Sequence, residues 1–169
     1  GNSMKASSLK GIAIVDLSTS EVLGHVTDVM IDPAERRLIG LEMKGDRYTS
    51  KQVVPVSSVH AFGKDAVTIE NASGLRERAS FPELRGKPTL DDFEGTKILT
   101  EGGEVLGKIK DVLLSDDGER FLAYEYSTGG LGSMVGLGTK ELRATADQRY
   151  GTDILTIPRS ESPESHQKA

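Results

Sequence analysis

The sequence predicts an all-β protein, two tandem small antiparallel β-barrels related by an internal repeat. Three observations predict it: a hairpin motif that occurs twice, short apolar segments rich in Val, Ile and Leu, and turn residues between those segments. The repeat is plain. Glu21-Val22-Leu23-Gly24-His25-Val26-Thr27-Asp28-Val29-Met30-Ile31 aligns with Glu104-Val105-Leu106-Gly107-Lys108-Ile109-Lys110-Asp111-Val112-Leu113-Leu114 at an offset of 83 residues. The same offset carries Leu38-Ile39-Gly40-Leu41-Glu42-Met43 onto Phe121-Leu122-Ala123-Tyr124-Glu125-Tyr126, with apolar character kept at each apolar position. Upstream the offset is 84, pairing Leu9 with Phe93, Gly11 with Gly95 and Ile14 with Ile98. Downstream it is 88, pairing Phe62 with Tyr150 and Ile69 with Ile157, so five extra residues fall in the second copy, within residues 128–140.

In chain order, the first copy reads as strands at residues 11–17, 22–31, 37–44, 52–54 and 66–70. Ser18-Thr19-Ser20, Asp32-Pro33-Ala34-Glu35, Lys44-Gly45-Asp46 and Gly63-Lys64-Asp65 supply its turns. Glu101-Gly102-Gly103 and Asp116-Asp117-Gly118 take the equivalent places in the second copy, where glycine accepts the positive φ of tight hairpins. The expected organisation is a first barrel at 8–72, a connector at 73–92, a second barrel at 93–158 and a disordered tail at 159–169. Leu75, Phe81 and Leu84 give the connector apolar anchors, and Thr89 with Asp92 forms a capping pattern. The tail has Pro163 and no periodic apolar positions, so it cannot offset its ordering entropy. Each unit is marginal in size alone, and closing its sheet removes edges that recruit other strands.

Composition narrows the function. The 169 residues are 36% hydrophobic and 28% charged with no Cys, which excludes disulfides, thiolate catalysis and Cys-ligated metal. The formal charge of −5 disfavours non-specific binding to phosphate backbones. No apolar run approaches the roughly 18 residues of a membrane-spanning helix. The residues ahead of Met4 carry no signal-peptide pattern, Met4 reads as a natural start behind Gly1-Asn2-Ser3, and a cytoplasmic location is expected.

Leu9-Lys10-Gly11, the run from Glu21 to Asp32, and Val53-Val54-Pro55-Val56-Ser57-Ser58-Val59 resemble the PRC-barrel domain family, known from the photosynthetic reaction-centre H subunit and the C-terminal half of a bacterial ribosome maturation factor. The resemblance covers residues 8–70 and again 92–158. It implies two small barrels and, by analogy, a role in scaffolding or in ribosome assembly. The second copy departs from the pattern where Arg143 and Ala144 replace Pro55 and Val56, and where Asp147 stands opposite Val59.

Residues able to do chemistry are few. His25 shares its repeat position with Lys108, which marks it as solvent-facing; His60 reads as a polar strand or turn residue, and His166 lies in the tail. Asp28 and Asp111 recur inside apolar strands. Such a carboxylate either accepts several backbone N–H bonds or, with a second acid such as Asp32 or Asp116, holds a metal; the structural role is the expected one. Gly24 and Gly107 fit a strand kink or close backbone approach. Gly129-Gly130-Leu131-Gly132-Ser133-Met134-Val135-Gly136-Leu137-Gly138 fails the dinucleotide and phosphate-loop patterns. Its Leu131, Met134, Val135 and Leu137 either pack on their own barrel or contact a partner, and they are the first partner-contact candidates. Lys97, Lys108, Lys110 and Arg120, near Phe121, Tyr124 and Tyr126, could serve single-stranded nucleic acid but read better as a solvated strand face.

The expectation is a non-enzymatic interaction or scaffold protein, with no catalytic residue, cofactor or metal, that binds a protein partner through barrel surfaces and forms a homodimer or a specific complex. RNA is the lesser partner. The alternatives are an RNA-processing or ribosome-assembly accessory factor, and a small-ligand or metal-binding regulatory module using the inter-barrel cleft.

Overall fold

A computed structural model describes residues 3–45, 47–129 and 138–158. The tail at 159–169 and Leu131, Met134, Val135 and Leu137 lie outside the described residues.

The first copy contributes β2 (Ala13–Asp16), β3 (Glu21–Asp32), β4 (Arg37–Lys44), β5 (Gln52–Pro55), β6 (Val59–Phe62) and β7 (Ala66–Ile69). The second contributes β9 (Lys97–Thr100), β10 (Val105–Ser115), β11 (Phe121–Ser127), β12 (Thr139–Arg143), β13 (Arg149–Gly151) and β14 (Ile154–Ile157). These two sets match strand for strand at the offsets read from the sequence. Two outlying strands, β1 (Ser3–Lys5) and β8 (Arg76–Glu77), and one helical turn, α1 (Leu90–Phe93), complete the described elements apart from short 3-10 turns.

Two seven-stranded sheets result, one ordered β6-β7-β2-β3-β4-β5-β8 and the other β12-β11-β10-β9-β14-β13, with β1 added on β10. Each curls into a barrel-like unit. Neighbours run antiparallel except β2 beside β7 and β9 beside β14, which are parallel and bring the last strand of each copy against the first. Bending comes from bulges at repeated places. Pairing slips between Val26 and Asp28 on β3 and between Ile109 and Asp111 on β10, and again at Met30/Ile31 and Leu113/Leu114. An unpaired residue at each slip increases local twist and lets one long strand serve two sides of a small barrel. Gly11 (φ 82°) and Gly95 (φ 90°) open the two copies, each donating its N–H to an equivalent carbonyl, Val26 or Ile109, at 2.8 Å.

The units share one apolar core that includes Leu9, Ile14, Leu41, Phe93, Ile109 and Tyr124. They also exchange their leading segments. β1, just before the first copy, pairs with Leu113–Ser115 side of β10 in the second. Its counterpart before the second copy reaches β3 of the first: Thr89 bridges Met30, and the Ile31 N–H bonds the Pro88 carbonyl at 3.2 Å. Thr89 also caps α1 in a capping box with Asp92, as the sequence pattern predicts.

Candidate interaction surfaces

Gly24 and Gly107 sit where neighbouring strands approach closely. A Cβ on Gly24 would overlap the Lys44 carbonyl and the Met43 side chain, and one on Gly107 would overlap the Ser127 carbonyl and the Tyr126 ring. Both positions therefore build the barrels.

Asp28 and Asp111 lie at equivalent points where each long strand meets the leading segment of the other copy, and their surroundings differ. Asp111 is 6% exposed and accepts from Ser7 N at 3.1 Å, from Ser7 Oγ, and from Val112 N at 2.8 Å. At the equivalent of Ser7 stands Asp91, which forms an ion pair with Lys10. Asp28 Oδ1 is buried without a hydrogen-bond partner among the described residues. Burial, then the negative charges of Asp91 and Glu42, push the Asp28 carboxyl above the usual carboxylate range, opposed by Lys10 and the Val29 N–H.

Opposite effects follow from the two positions. Asp111→Ala leaves the Ser7 and Val112 donors unpaired and costs about 1–3 kcal/mol. Asp28→Asn stabilises the fold at neutral pH by about 0.5–1 kcal/mol, the scale of a solvent-screened charge. Because the folded-state pKa of Asp28 is raised, its favourable contribution is complete below the unfolded-state value and disappears as pH rises through the folded one. The gain from Asn is accordingly largest at pH 7 and fades towards pH 4. Urea denaturation at both pH values checks this; equal gains at both would refute it.

The other chemical candidates do not converge. His25 is exposed. Asp32 is instead held by Lys87 at 3.5 Å, Arg37 at 4.0 Å and the Glu35 N–H at 3.2 Å, and Asp116 is an exposed turn residue. No three His, Asp or Glu side chains gather in metal-binding geometry among the described residues. His60 lines an open polar cleft of about 380 Å³ with Ser58, Glu70 and Asn71. Its counterpart Gln148 is buried and pins the β12–β13 turn, donating to the Arg143 carbonyl at 2.8 Å and accepting from Thr145 N at 3.0 Å. Lys97, Lys108, Lys110 and Arg120 are exposed, but Tyr124 and Tyr126 are 0% exposed and Phe121 5%, so the rings offer no stacking face. No helix among the described residues is long and apolar enough to cross a membrane.

A further asymmetry lies on the sheet faces turned away from the shared core. In the first unit, Met30, Ile39 and Val53 form a second apolar cluster with Phe81 and Leu84 of the connector, all buried. β8 holds the connector there by pairing with β5, and Arg78 Nε meets the buried Glu42 at 2.6 Å while Lys51 lies 3.5 Å from it. The equivalent face of the second unit carries Leu113 and Leu122, both only partly buried, and Glu141 in place of Val53. A groove of about 420 Å³ opens there, lined by Leu113, Leu122 and Ala144 and rimmed by Arg120, Arg143 and Glu141. Sequence reasoning missed this groove, because Leu113 and Leu122 look like core residues in the apolar pattern.

A duplicated, bulged small barrel with a carboxylate recurring at each junction between the copies defines a class of β-barrel module. The sequence matches the family model of the PRC-barrel domain over residues 1–76 and again over 89–162, and the chain belongs to that family as a tandem of two copies. No curated protein matches it.

Proposed function

We propose that the chain is a non-enzymatic interaction module that binds a protein partner through its barrel surfaces. The supporting observation is the inequality of two equivalent faces, one covered by the connector and the other, among the described residues, open with apolar side chains at its floor. Exposed apolar surface in a recess is where association gains free energy, and a rim of charge sets orientation. A cytoplasmic setting and a homodimer belong to the same reading. Affinity capture from native cells, read by mass spectrometry, should recover a protein complex that survives added salt, because apolar burial is not screened. RNA binding should be weak and steeply salt-dependent. A strict monomer in equilibrium sedimentation, with no captured protein and tight RNA binding at physiological salt, would sink the reading.

A further inference from the structure

We infer that the groove on the second unit takes an acidic peptide segment presenting Phe and Leu three residues apart, on a partner protein, in the manner in which Phe81-Pro82-Glu83-Leu84 covers the first unit. The inference rests on the protein-binding reading above and names its occupant. The chain carries its own template. On the first unit the connector makes two consecutive 3-10 turns, Arg78–Ser80 and Pro82–Leu84, which place Phe81 and Leu84 together over Met30, Ile39 and Val53. Glu83 shares the adjoining recess with Arg37 and Arg76, and the Arg76 guanidinium lies 5.8 Å from the Phe81 ring centre.

By the repeat, Leu113 corresponds to Met30, Leu122 to Ile39 and Arg120 to Arg37. Leu113 and Leu122 therefore keep two of the three apolar floor positions, with Glu141 at the third, and Arg120 keeps the cation of the recess that Glu83 shares. Arg143 adds a second cation at the rim, against the single acid Glu141, so the local charge favours an acidic occupant. The edge of β12 beyond the groove has no paired strand among the described residues, where β5 has β8, so backbone pairing is open to the same segment. Residues 159–169 contain no Phe or Leu and do not supply this chemistry.

The probe is a synthetic peptide with the sequence of residues 79–84, net charge −1 with both ends capped, titrated into the full chain and followed by amide NMR shifts. The expected result is saturating shifts at Leu113, Leu122 and Ala144, weakened roughly tenfold when Phe in the peptide is replaced by Ala, as loss of a buried ring predicts. Leu122→Asp should abolish the shifts. Arg120→Glu, an exposed change with little bearing on folding, should weaken them even if the first variant folds poorly. Shifts confined to Met30, Ile39 and Val53 would overturn the inference, since the peptide would then only displace the chain's own connector. Its failure is also shown by no shifts, or by a dimer that Leu122→Asp converts to monomer without peptide. If the peptide fails while a salt-resistant protein complex is still captured, the occupant is wrong and the protein-binding reading stands.

Discussion

Phe93→Ala should lower the free energy of unfolding by about 3–5 kcal/mol, the range for removing a buried aromatic side chain. The ring is 0% exposed and lies 6.0 Å from Tyr124 and 5.5 Å from Tyr150, centre to centre. Little around it can collapse into the space, because Tyr124 is fixed in turn by an edge contact with Phe121. The residue also sits in α1, directly after the Pro88-Thr89 segment that pairs with the first unit, so the loss reaches both sheets. Urea unfolding of the variant should remain one transition at a lower midpoint. Two separated transitions would show that the units unfold independently and that the shared core does not couple them.

Gly107→Ala should cost about 3 kcal/mol, at the upper end of overpacking penalties. The added methyl would meet the Ser127 carbonyl, which belongs to the adjacent strand β11 and cannot rotate away as a side chain would. Gly103→Ala provides the contrast. That residue has φ 89° with open space around its Cβ position, so the penalty there is backbone strain of about 1 kcal/mol. Thermal melts of the two variants separate steric from conformational reasons for glycine; equal losses would contradict the close approach at Gly107.

Most of the fold was legible because a duplication prints its apolar pattern twice. Gly24 with Gly107 and Asp28 with Asp111 stand out by recurrence alone, whereas the parallel pairs β2–β7 and β9–β14 were not legible, since the apolar pattern read as antiparallel throughout. The short strands β6 and β8 were not legible. β6 carries His60 and Ala61, both exposed, and β8 is a pair of exposed charged residues whose strand character comes from its partner β5. The open groove was hidden for a different reason. Leu113 and Leu122 look like core residues in any apolar pattern, and only the position of the connector in space separates them from Met30 and Ile39.

The exchange of leading segments has a consequence for how the two copies can diverge. The same reciprocal contacts would hold together two separate single-copy chains about a two-fold axis, and in such a dimer every substitution appears on both sides at once. Joining the copies in one polypeptide keeps the contacts at a high effective concentration and removes that constraint. Ser7 and Asp91, then Asp111 and Asp28, are free to become different, and they have: one junction is fully hydrogen-bonded and the other holds an unpaired carboxylate oxygen. Fusion thus turns a symmetric clasp into two junctions that can be tuned separately.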